Sequence, residues 1–175
     1  MSLTLLLGGA RSGKSTLSVQ IGQRFAGPVC FIATAEPFDD DLRQRVARHR
    51  LERPDWPTIE EPVHLATAVS NAAADGLLII DCLTVWVGNL YAHCPTLEAR
   101  HDHYHRFIAA CQQRAAPIVV VTNEVGMGVH PETKMGCDYR DELGRLNQMV
   151  AAIATTSLLL VAGKAIRLVD PWTLL

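Results

Sequence analysis

The chain opens with a short apolar run that leads directly into a glycine-rich octet. Residues 4–7 read TLLL and residues 8–15 read GGARSGKS. The octet fits G-x-x-x-x-G-K-[ST], in which glycines let successive backbone N–H groups point at phosphate oxygens. A helical pattern containing Leu17 and Ile21 follows, so the positive end of a helix dipole would face the same phosphates. A strand, this loop and a helix in this order predict an α/β fold that binds a nucleotide.

The octet supplies the first candidate ligands for that nucleotide. They are Gly8, Gly9, Ala10, Arg11, Ser12, Gly13, Lys14 and Ser15. Lys14 would bring positive charge to the β- and γ-phosphates, and the Ser15 hydroxyl is suited to binding Mg²⁺. A chance glycine-rich turn is the alternative, but it does not explain the strand before the loop and the helix after it.

Composition narrows the class of protein. With 175 residues, 49% hydrophobic and 19% charged, the chain is predicted to form one globular domain over residues 1–175. A net charge of -2 offers no basic surface for nucleic acid, and apolar runs of strand length predict no membrane insertion. The five cysteines are odd in number and contain no C-x-x-C pair, which predicts reduced thiols and a cytoplasmic protein.

Apolar runs alternate with helical patterns along the rest of the chain. Strands are predicted at 4–7, 29–34, 77–81, 118–122 and 157–163. Helices are predicted after the loop and at 39–51, 63–74, 83–114 with a break at 94–96, and 138–154. Residues 58–62 are expected to be irregular. This alternation predicts a mostly parallel central sheet flanked by helices.

Asp81 ends a run of four large aliphatic residues at 77–80. Parallel strands buried on both faces read as continuous apolar runs, and ligands bind at their carboxyl ends. Asp81 is therefore predicted to point toward Ser15 and to share Mg²⁺ with it. It could instead cap the helix that follows, and the two roles are compatible.

A group of three histidines invites a metal interpretation. His101, His103 and His105 alternate within a predicted helix. Only the first and third would share a face, and no cysteine or carboxylate cluster stands at a fitting spacing. A solvated helix face is the better interpretation.

His49 is a different case, because it shares a helix face with Leu42 and Val46 beside a cluster of arginines. From spacing alone, a buried and hydrogen-bonded histidine is the favoured interpretation. The arginines favour a catalytic role for His49, because guanidinium groups stabilise charge on a transferring phosphate. A neutral imidazole is also a competent nucleophile toward phosphorus.

Several motifs spread over nearly the whole chain carry a resemblance to a known family. They are the octet at 8–15, IATA at 32–35, the arginine-rich block at 45–54, TIE at 58–60, TNEVGMG at 122–128 with Pro131, and RLNQ at 145–148. Together they resemble the bifunctional adenosylcobinamide kinase / adenosylcobinamide-phosphate guanylyltransferase of cobalamin biosynthesis. The arginine-rich block and TNEVGMG are far more specific than the octet.

The resemblance implies two reactions. A nucleoside triphosphate, ATP or GTP, first phosphorylates the hydroxyl of the aminopropanol arm of adenosylcobinamide. GTP then guanylylates an enzyme histidine and releases pyrophosphate. The GMP passes to adenosylcobinamide phosphate and gives adenosylcobinamide-GDP. The family's guanylylated histidine falls on His49, which makes it the predicted catalytic residue.

The resemblance also extends the nucleotide site beyond the octet. The further predicted contacts are Ala33, Thr34, Ala35, Arg50, Leu51, Glu52, Arg53, Glu60 and Asp81. Mg²⁺ would lie between Ser15 and Asp81, although some relatives have Glu at the position of Asp81. Family members are homotrimers with sites near subunit boundaries, which implies a homotrimer that binds a corrinoid substrate. If His49 lies far from the α-phosphorus, helix 39–51 has to move during catalysis.

Two other functions fit the octet alone: a small-molecule kinase without nucleotidyl transfer, and a nucleotide-dependent binding module. The arginine-rich block around His49 argues against the second, because a pure switch has no use for it. Selection of guanine stays open, because residues 122–126 stand where GTPases carry N-K-x-D but lack the lysine and aspartate.

Overall fold

The computed structural model describes residues 2–36 and 40–175. Its strands are β1 Leu3–Gly8, β2 Val29–Ala33, β3 Thr58–Glu60, β4 Leu77–Asp81, β5 Ile118–Val121, β6 Thr156–Val161 and β7 Lys164–Leu168. Its helices are α1 Lys14–Arg24, α2 Asp40–Leu51, α3 Leu65–Asn71, α4 Leu83–His93, α5 Leu97–Gln113, α6 Lys134–Ile153 and a short 3-10 helix Pro171–Thr173. The expected helix start at Asp39 lies outside the described residues.

The seven strands form one sheet in the order β3-β2-β4-β5-β1-β6-β7. Every neighbouring pair is parallel except β6 and β7, which are antiparallel. The carboxyl ends of six strands therefore lie along the same edge of the sheet. The prediction of an α/β fold with a mostly parallel sheet is confirmed.

The strands are buried on both faces, which explains their continuous apolar sequences. Along β1, Leu3, Leu5 and Leu7 face a core that also contains side chains of α3, α4, α5 and α6. Leu6 faces the opposite core, which is covered by α1. Fully burying one such side chain stabilises the fold by roughly 1.5–3 kcal/mol.

Residues 58–62, predicted to be irregular, contain the edge strand β3, so that prediction is wrong. Ile59 pairs in parallel with Ile32 of β2, and Glu60 pairs with Ala33. Prolines at 54, 57 and 62 surround these three residues and hide the strand signal in the sequence. The pairing comes from the exposed edge of β2, which is a tertiary contact.

The chain after β6 also differs from the prediction, because β6 ends at Val161 and a second strand follows. Ala162 and Gly163 have φ values of 50° and 74° and form a two-residue turn into β7. Positive φ at both positions is the geometry of tight hairpin turns, but Ala-Gly is a weak sequence signal for one.

Two helices also differ in their bounds from the prediction. Helix α3 is shorter than the predicted 63–74, and α6 begins at Lys134 instead of 138. The Thr133 side chain caps α6 by accepting a hydrogen bond from the backbone N–H of Gly136 at 3.1 Å. Over residues 2–36 and 40–175, no helix is long and apolar enough to span a bilayer.

Candidate functional site

The glycine-rich octet forms a tight loop between β1 and α1. Gly8 has φ of 151°, and a side chain there would come within 2.4 Å of the Leu160 carbonyl oxygen. Gly13, directly before α1, has φ of 101°. Only glycine adopts these conformations readily, so the two ends of the octet depend on residue type.

Neighbouring segments hold this loop in place. The backbone N–H of Glu124, after β5, donates to the Gly8 carbonyl at 3.1 Å. The backbone N–H of Gly163, in the β6–β7 turn, donates to the Ser12 carbonyl at 3.0 Å. The loop is therefore preorganised on both sides, which reduces the ordering cost when a ligand binds.

Lys14 is buried and folds back over the loop. Its Nζ donates to the Gly9 carbonyl at 2.7 Å and to Ser12 Oγ at 3.3 Å. Burial lowers the pKa of Lys14, while the nearby Cys82 and Asp81 act in the opposite direction. A phosphate group would give this desolvated ammonium a further negative partner.

The loop opens into a cavity of about 640 Å³ at the carboxyl edge of the sheet. The residues that line it are Ala10, Arg11, Ser12, Gly13, Lys14, Ser15, Thr16, Phe31, Ala33, Ala35, Val46, Arg50, Glu52, Arg53, Glu60, Asp81, Cys82, Val85, Val121 and Asn123. Most of the predicted nucleotide contacts therefore lie together around one space. Its volume is in the range of small-molecule and cofactor sites.

Strand register explains why residues distant in sequence meet here. Ala33 of β2 pairs with Glu60 of β3 on one side and with Asp81 of β4 on the other. Asp81 in turn pairs with Val121 of β5. Adjacent strands lie about 4.8 Å apart, so these four residues form a row along the cavity.

Asp81, at the end of β4, and Ser15, in the first turn of α1, line the same cavity. They meet although β5 lies between β4 and β1, the strand that precedes the loop. A serine hydroxyl and a carboxylate are the hard oxygen ligands that Mg²⁺ prefers. The donor set therefore fits Mg²⁺, completed by phosphate oxygens and water. Within the described residues, no group of three or more His, Cys, Asp and Glu side chains forms a metal site of its own.

Cys82, beside Asp81, is unsuited to act as the nucleophile of the cavity. Burial, and then the neighbouring Asp81 carboxylate, raise the pKa of the Cys82 thiol to about 12. The thiol is therefore protonated at neutral pH, and the thiolate is the reactive form.

Two arginines, Arg50 and Arg53, also line the cavity. The Arg53 guanidinium lies 3.8 Å from the centre of the Phe31 ring, and its Nη2 donates to Thr58 Oγ1 at 3.0 Å. Its buried Nη1 has no hydrogen-bond partner among the described residues. Burial and the nearby Arg50 lower the pKa of Arg53, while Asp81 and Glu60 raise it. An anion in the cavity would satisfy this unpaired donor.

Arg50 and Glu60, both predicted to contact the nucleotide, pair with each other at the rim. The Arg50 guanidinium donates to Glu60 Oε1, and the two side chains are 54% and 62% exposed. An exposed pair of this kind is weakly held, so both groups can exchange partners when a charged ligand arrives.

Four predicted contacts do not line the cavity. Gly8 and Gly9 lie at the start of the loop, and the other two are Leu51 and Thr34. Leu51 is 87% exposed, and Thr34 is fully buried. The Thr34 hydroxyl donates to the Cys82 carbonyl at 2.8 Å and accepts from the Cys82 N–H at 2.9 Å. Thr34 therefore shapes the cavity through the backbone beside Asp81.

His49 lies in α2, two residues before the end of the helix. Its side chain is outside the described part of the structure, as are those of Leu42, Arg45 and Arg48. Val46, from the same predicted face, lines the cavity, and so does Arg50.

The sequence interpretation missed several lining residues, of which Asn123 and Phe31 are the most informative. Asn123 is the second residue after the end of β5, so the rule that ligands bind at the carboxyl ends of parallel strands could have identified it. Phe31 lies two residues before Ala33 on β2 and shares its face, so the two-residue strand period could have identified it.

Solved structures with a similar fold support the architecture. A Pyrococcus horikoshii OT3 protein aligns with a TM-score of 0.59 at 7% identity, covering 95% of this chain and 85% of that one. A prototypical ATPase from the type III secretion system of pathogenic bacteria also aligns with a TM-score of 0.59, at 10% identity, covering 91% of this chain and 52% of that one. At these identities the likeness shows the fold alone.

Sequence relatives are much closer. The chain is 37% identical to the bifunctional adenosylcobalamin biosynthesis protein CobP of Pseudomonas aeruginosa, over 91% of this chain and 92% of the relative. It is 36% identical to the bifunctional adenosylcobalamin biosynthesis protein CobU of Salmonella typhimurium, over 95% and 99%. A family model described as cobinamide kinase / cobinamide phosphate guanyltransferase matches residues 4–168. This chain belongs to the cobinamide kinase / cobinamide phosphate guanyltransferase family.

Proposed function

We propose that the chain phosphorylates adenosylcobinamide with ATP or GTP and then transfers GMP from GTP to adenosylcobinamide phosphate. The products of the second reaction are adenosylcobinamide-GDP and pyrophosphate, and His49 carries GMP between donor and acceptor. Family membership supports the two activities. The covalent histidine and the adenosyl form of the substrate are our proposal.

The observation that carries this proposal is the single cavity that joins the phosphate loop to α2. Lys14 and Ser15 of the loop line it, and so do Arg50 and Arg53. A triphosphate anchored in the loop would therefore have cationic groups along much of its length. Preorganised charge of this kind stabilises a phosphoryl transition state more than it does the ground state.

In the guanylyl step, an imidazole nitrogen of His49 attacks the α-phosphorus of GTP. The bond from that phosphorus to the bridging oxygen breaks, and pyrophosphate leaves with the electron pair. A phosphate oxygen of adenosylcobinamide phosphate then attacks the same phosphorus, and the P–N bond breaks to restore the imidazole. Splitting one displacement into two lets each acceptor be positioned separately.

In the kinase step, the substrate hydroxyl attacks the γ-phosphorus, the bond to the β-phosphate oxygen breaks, and the hydroxyl proton is released. Lys14, whose Nζ lies over the loop and donates to the Gly9 carbonyl, brings positive charge to the phosphates. When Mg²⁺ is bound, by Ser15 and Asp81, it would neutralise charge on the phosphate oxygens.

Labelled nucleotides distinguish this proposal from its alternatives. GTP labelled at the α-phosphorus should leave acid-labile, base-stable label on the protein, because a P–N bond has that stability. His49→Ala should abolish this label, and His105→Ala, on an exposed site of α5, should retain it. Label that persists without His49 would exclude it as the nucleophile.

The γ-phosphorus tests the other activity. Transfer from γ-labelled nucleotide to cobinamide, without any covalent GMP, would indicate a kinase alone. Tight nucleotide binding without transfer to any cobinamide would indicate a binding module. Both results would contradict the proposal.

We also propose that the protein is a homotrimer. The last strand and the segment after it expose large apolar side chains: Ile166 is 61% exposed, Trp172 79% and Leu174 74%. Adjacent exposed apolar side chains of this kind mark interaction surfaces. In addition, β7 is an edge strand, and among residues 2–36 and 40–175 no further strand pairs with its outer side.

We further propose the cytoplasm as the compartment of this enzyme. All five cysteines carry free thiols. Burial raises the pKa of Cys111 to about 12, as it does for Cys82. Protonated, unpaired thiols suit a compartment in which glutathione keeps cysteines reduced.

A further inference from the structure

One stripe of helix α4 faces both ends of the segment that contains α2 and β3. The chain leaves β2 at Thr34, passes through α2 and the edge strand β3, and reaches Pro62 two residues after the end of β3. Trp86, Asn89 and His93 occupy positions i, i+3 and i+7 of α4, so they lie on one face of the helix. Each of the three makes a polar contact with one or both ends of this segment.

Asn89 contacts both ends at once. Its side-chain Nδ2 donates to the Thr34 carbonyl at 2.7 Å and to the Pro62 carbonyl at 3.1 Å. An amide nitrogen carries two protons, and here both are used. The two carbonyls are therefore held at a fixed separation by a single half-buried group.

The two flanking residues of the stripe contact one end each. The Trp86 indole N–H donates to the Val63 carbonyl at 2.9 Å, next to the returning end. His93 Nε2 lies 2.8 Å from Glu36 Oε2, just beyond the departing end. Trp86 is fully buried, so this part of α4 is a rigid base for the contacts.

Thr34, at the departing end, also hydrogen-bonds to the end of β4, where Asp81 is proposed to bind Mg²⁺. The backbone N–H of Thr34 donates to the Asp81 carbonyl at 3.2 Å, and the Thr34 hydroxyl makes both of its bonds to the Cys82 backbone. Asn89 therefore hydrogen-bonds to a residue, Thr34, whose position is already fixed by hydrogen bonds to the end of β4. The phosphate loop is held separately, by Glu124 and Gly163.

We propose that Asn89 is a positioning residue for guanylyl transfer, because it sets where the segment carrying α2 stands over the cavity. This inference rests on the proposed role of His49, which lies in that segment. Asn89 does not line the cavity among the described residues, so it acts through the backbone of Thr34 and Pro62.

The test compares Asn89→Asp with a matched control, Asn71→Asp. The first variant keeps the side-chain size but replaces the NH2 group that makes both hydrogen bonds with an oxygen that faces two carbonyls. The control makes the same chemical change at an exposed position on the last residue of α3. Two quantities are measured below the melting temperature of every variant. They are the single-turnover rate of protein labelling from α-labelled GTP and the affinity for α,β-methylene GTP.

We expect the labelling rate of Asn89→Asp to fall about 10- to 100-fold, because a displacement of about 1 Å has that effect on a positioned reaction. Affinity for the analogue should change by less than about twofold, since the phosphate loop is held by other contacts. Asn89→Gln retains both donors and should label at a rate between those of the wild type and Asn89→Asp. If Asn89→Asp does not fold, the labelling rate of Asn89→Gln tests the inference in its place.

A labelling rate of Asn89→Asp equal to that of the wild type would overturn the inference. So would a loss of labelling that is matched by an equal loss of affinity, because that result indicates general damage to the site. A wild-type protein that takes up no label contradicts the proposed function itself, which separates the two failures.

Discussion

Gly8 shows how little room the phosphate loop leaves for side chains. Its φ of 151° and its approach to the Leu160 carbonyl exclude a Cβ on both conformational and steric grounds. Single residues of this kind were predictable, because the octet motif specifies backbone geometry directly. Arg50 and Glu60 were also predicted as site residues, but their mutual ion pair could not be, since they belong to a helix and a strand joined only in space.

Gly8→Ala should destabilise the protein by about 1–3 kcal/mol, because alanine would be forced into a conformation that only glycine adopts readily. The measurement is the free energy of unfolding by urea. Gly144→Ala is the matched control, because nothing lies within 4 Å of a Cβ at that position of α6. The control should stabilise the protein by about 0.5–1 kcal/mol through helix propensity. Equal effects of the two substitutions would contradict this account of the loop.

At the scale of elements, helices α4, α5 and α6 are joined by a buried network around Glu142. Arg100 of α5 binds its carboxylate through two nitrogens, at 2.9 and 2.8 Å. Tyr91 of α4 donates to it at 2.6 Å, and Tyr104 donates at 3.1 Å. The predicted helices were mostly correct in position, but no local pattern indicates which polar residues on them meet. In the sequence, charged residues that form a buried pair cannot be distinguished from charged residues on the surface.

Glu142→Gln should cost about 3–5 kcal/mol of stability, because it leaves the buried Arg100 charge without its partner. Asp102→Asn removes a charge from an exposed pair with Arg106 on α5. That control should cost no more than about 0.5 kcal/mol. Urea unfolding of both variants at neutral pH provides the comparison, and a small effect at Glu142 would show that water enters the network.

The same network predicts how stability changes with pH. Burial alone would raise the pKa of Glu142, but hydrogen bonds from Arg100, Tyr91 and Tyr104 outweigh it and hold the pKa below its ordinary value of 4.5. The contribution of Glu142 is therefore fully present above pH 4.5 and is lost as the pH falls through the lower folded pKa. Unfolding free energies of Glu142→Gln should decline less steeply than those of the wild type in this acidic range. Parallel declines would exclude Glu142 as a source of acid sensitivity.

At the scale of the whole molecule, the two edges of the sheet differ. One edge is the short strand β3, which carries Glu60 into the cavity. The other edge is β7, whose five residues are all exposed. Neither edge strand was predicted, because an edge strand is defined by the neighbour it pairs with. The proposed trimer would cover the second edge.

Ile166→Glu should convert the trimer to a smaller species, because it places a charge in the apolar surface formed by β7 and the segment after it. Light scattering with gel filtration should show about three times the 19.1 kDa chain mass for the wild type and less for the variant. Ala115→Glu, on an exposed residue before β5, is the control and should leave the mass unchanged. A trimeric Ile166→Glu would place the interface elsewhere.

The sequence by itself determined the phosphate loop, the buried strands, the aspartate at the end of β4 and the family. Each of these depends on residues that are adjacent in the sequence. Their backbone conformation and burial produce a local sequence pattern. Only the tertiary structure decided the strand order, the pairing of β3 with β2, the Arg50–Glu60 pair and the contacts of Asn89. These depend on residues from 10 to 152 positions apart, such as Arg50 with Glu60 and Thr4 with Thr156, that meet only in the folded chain. No local sequence pattern predicts such contacts, because the interaction energy depends on a partner residue that comes close only in the folded chain.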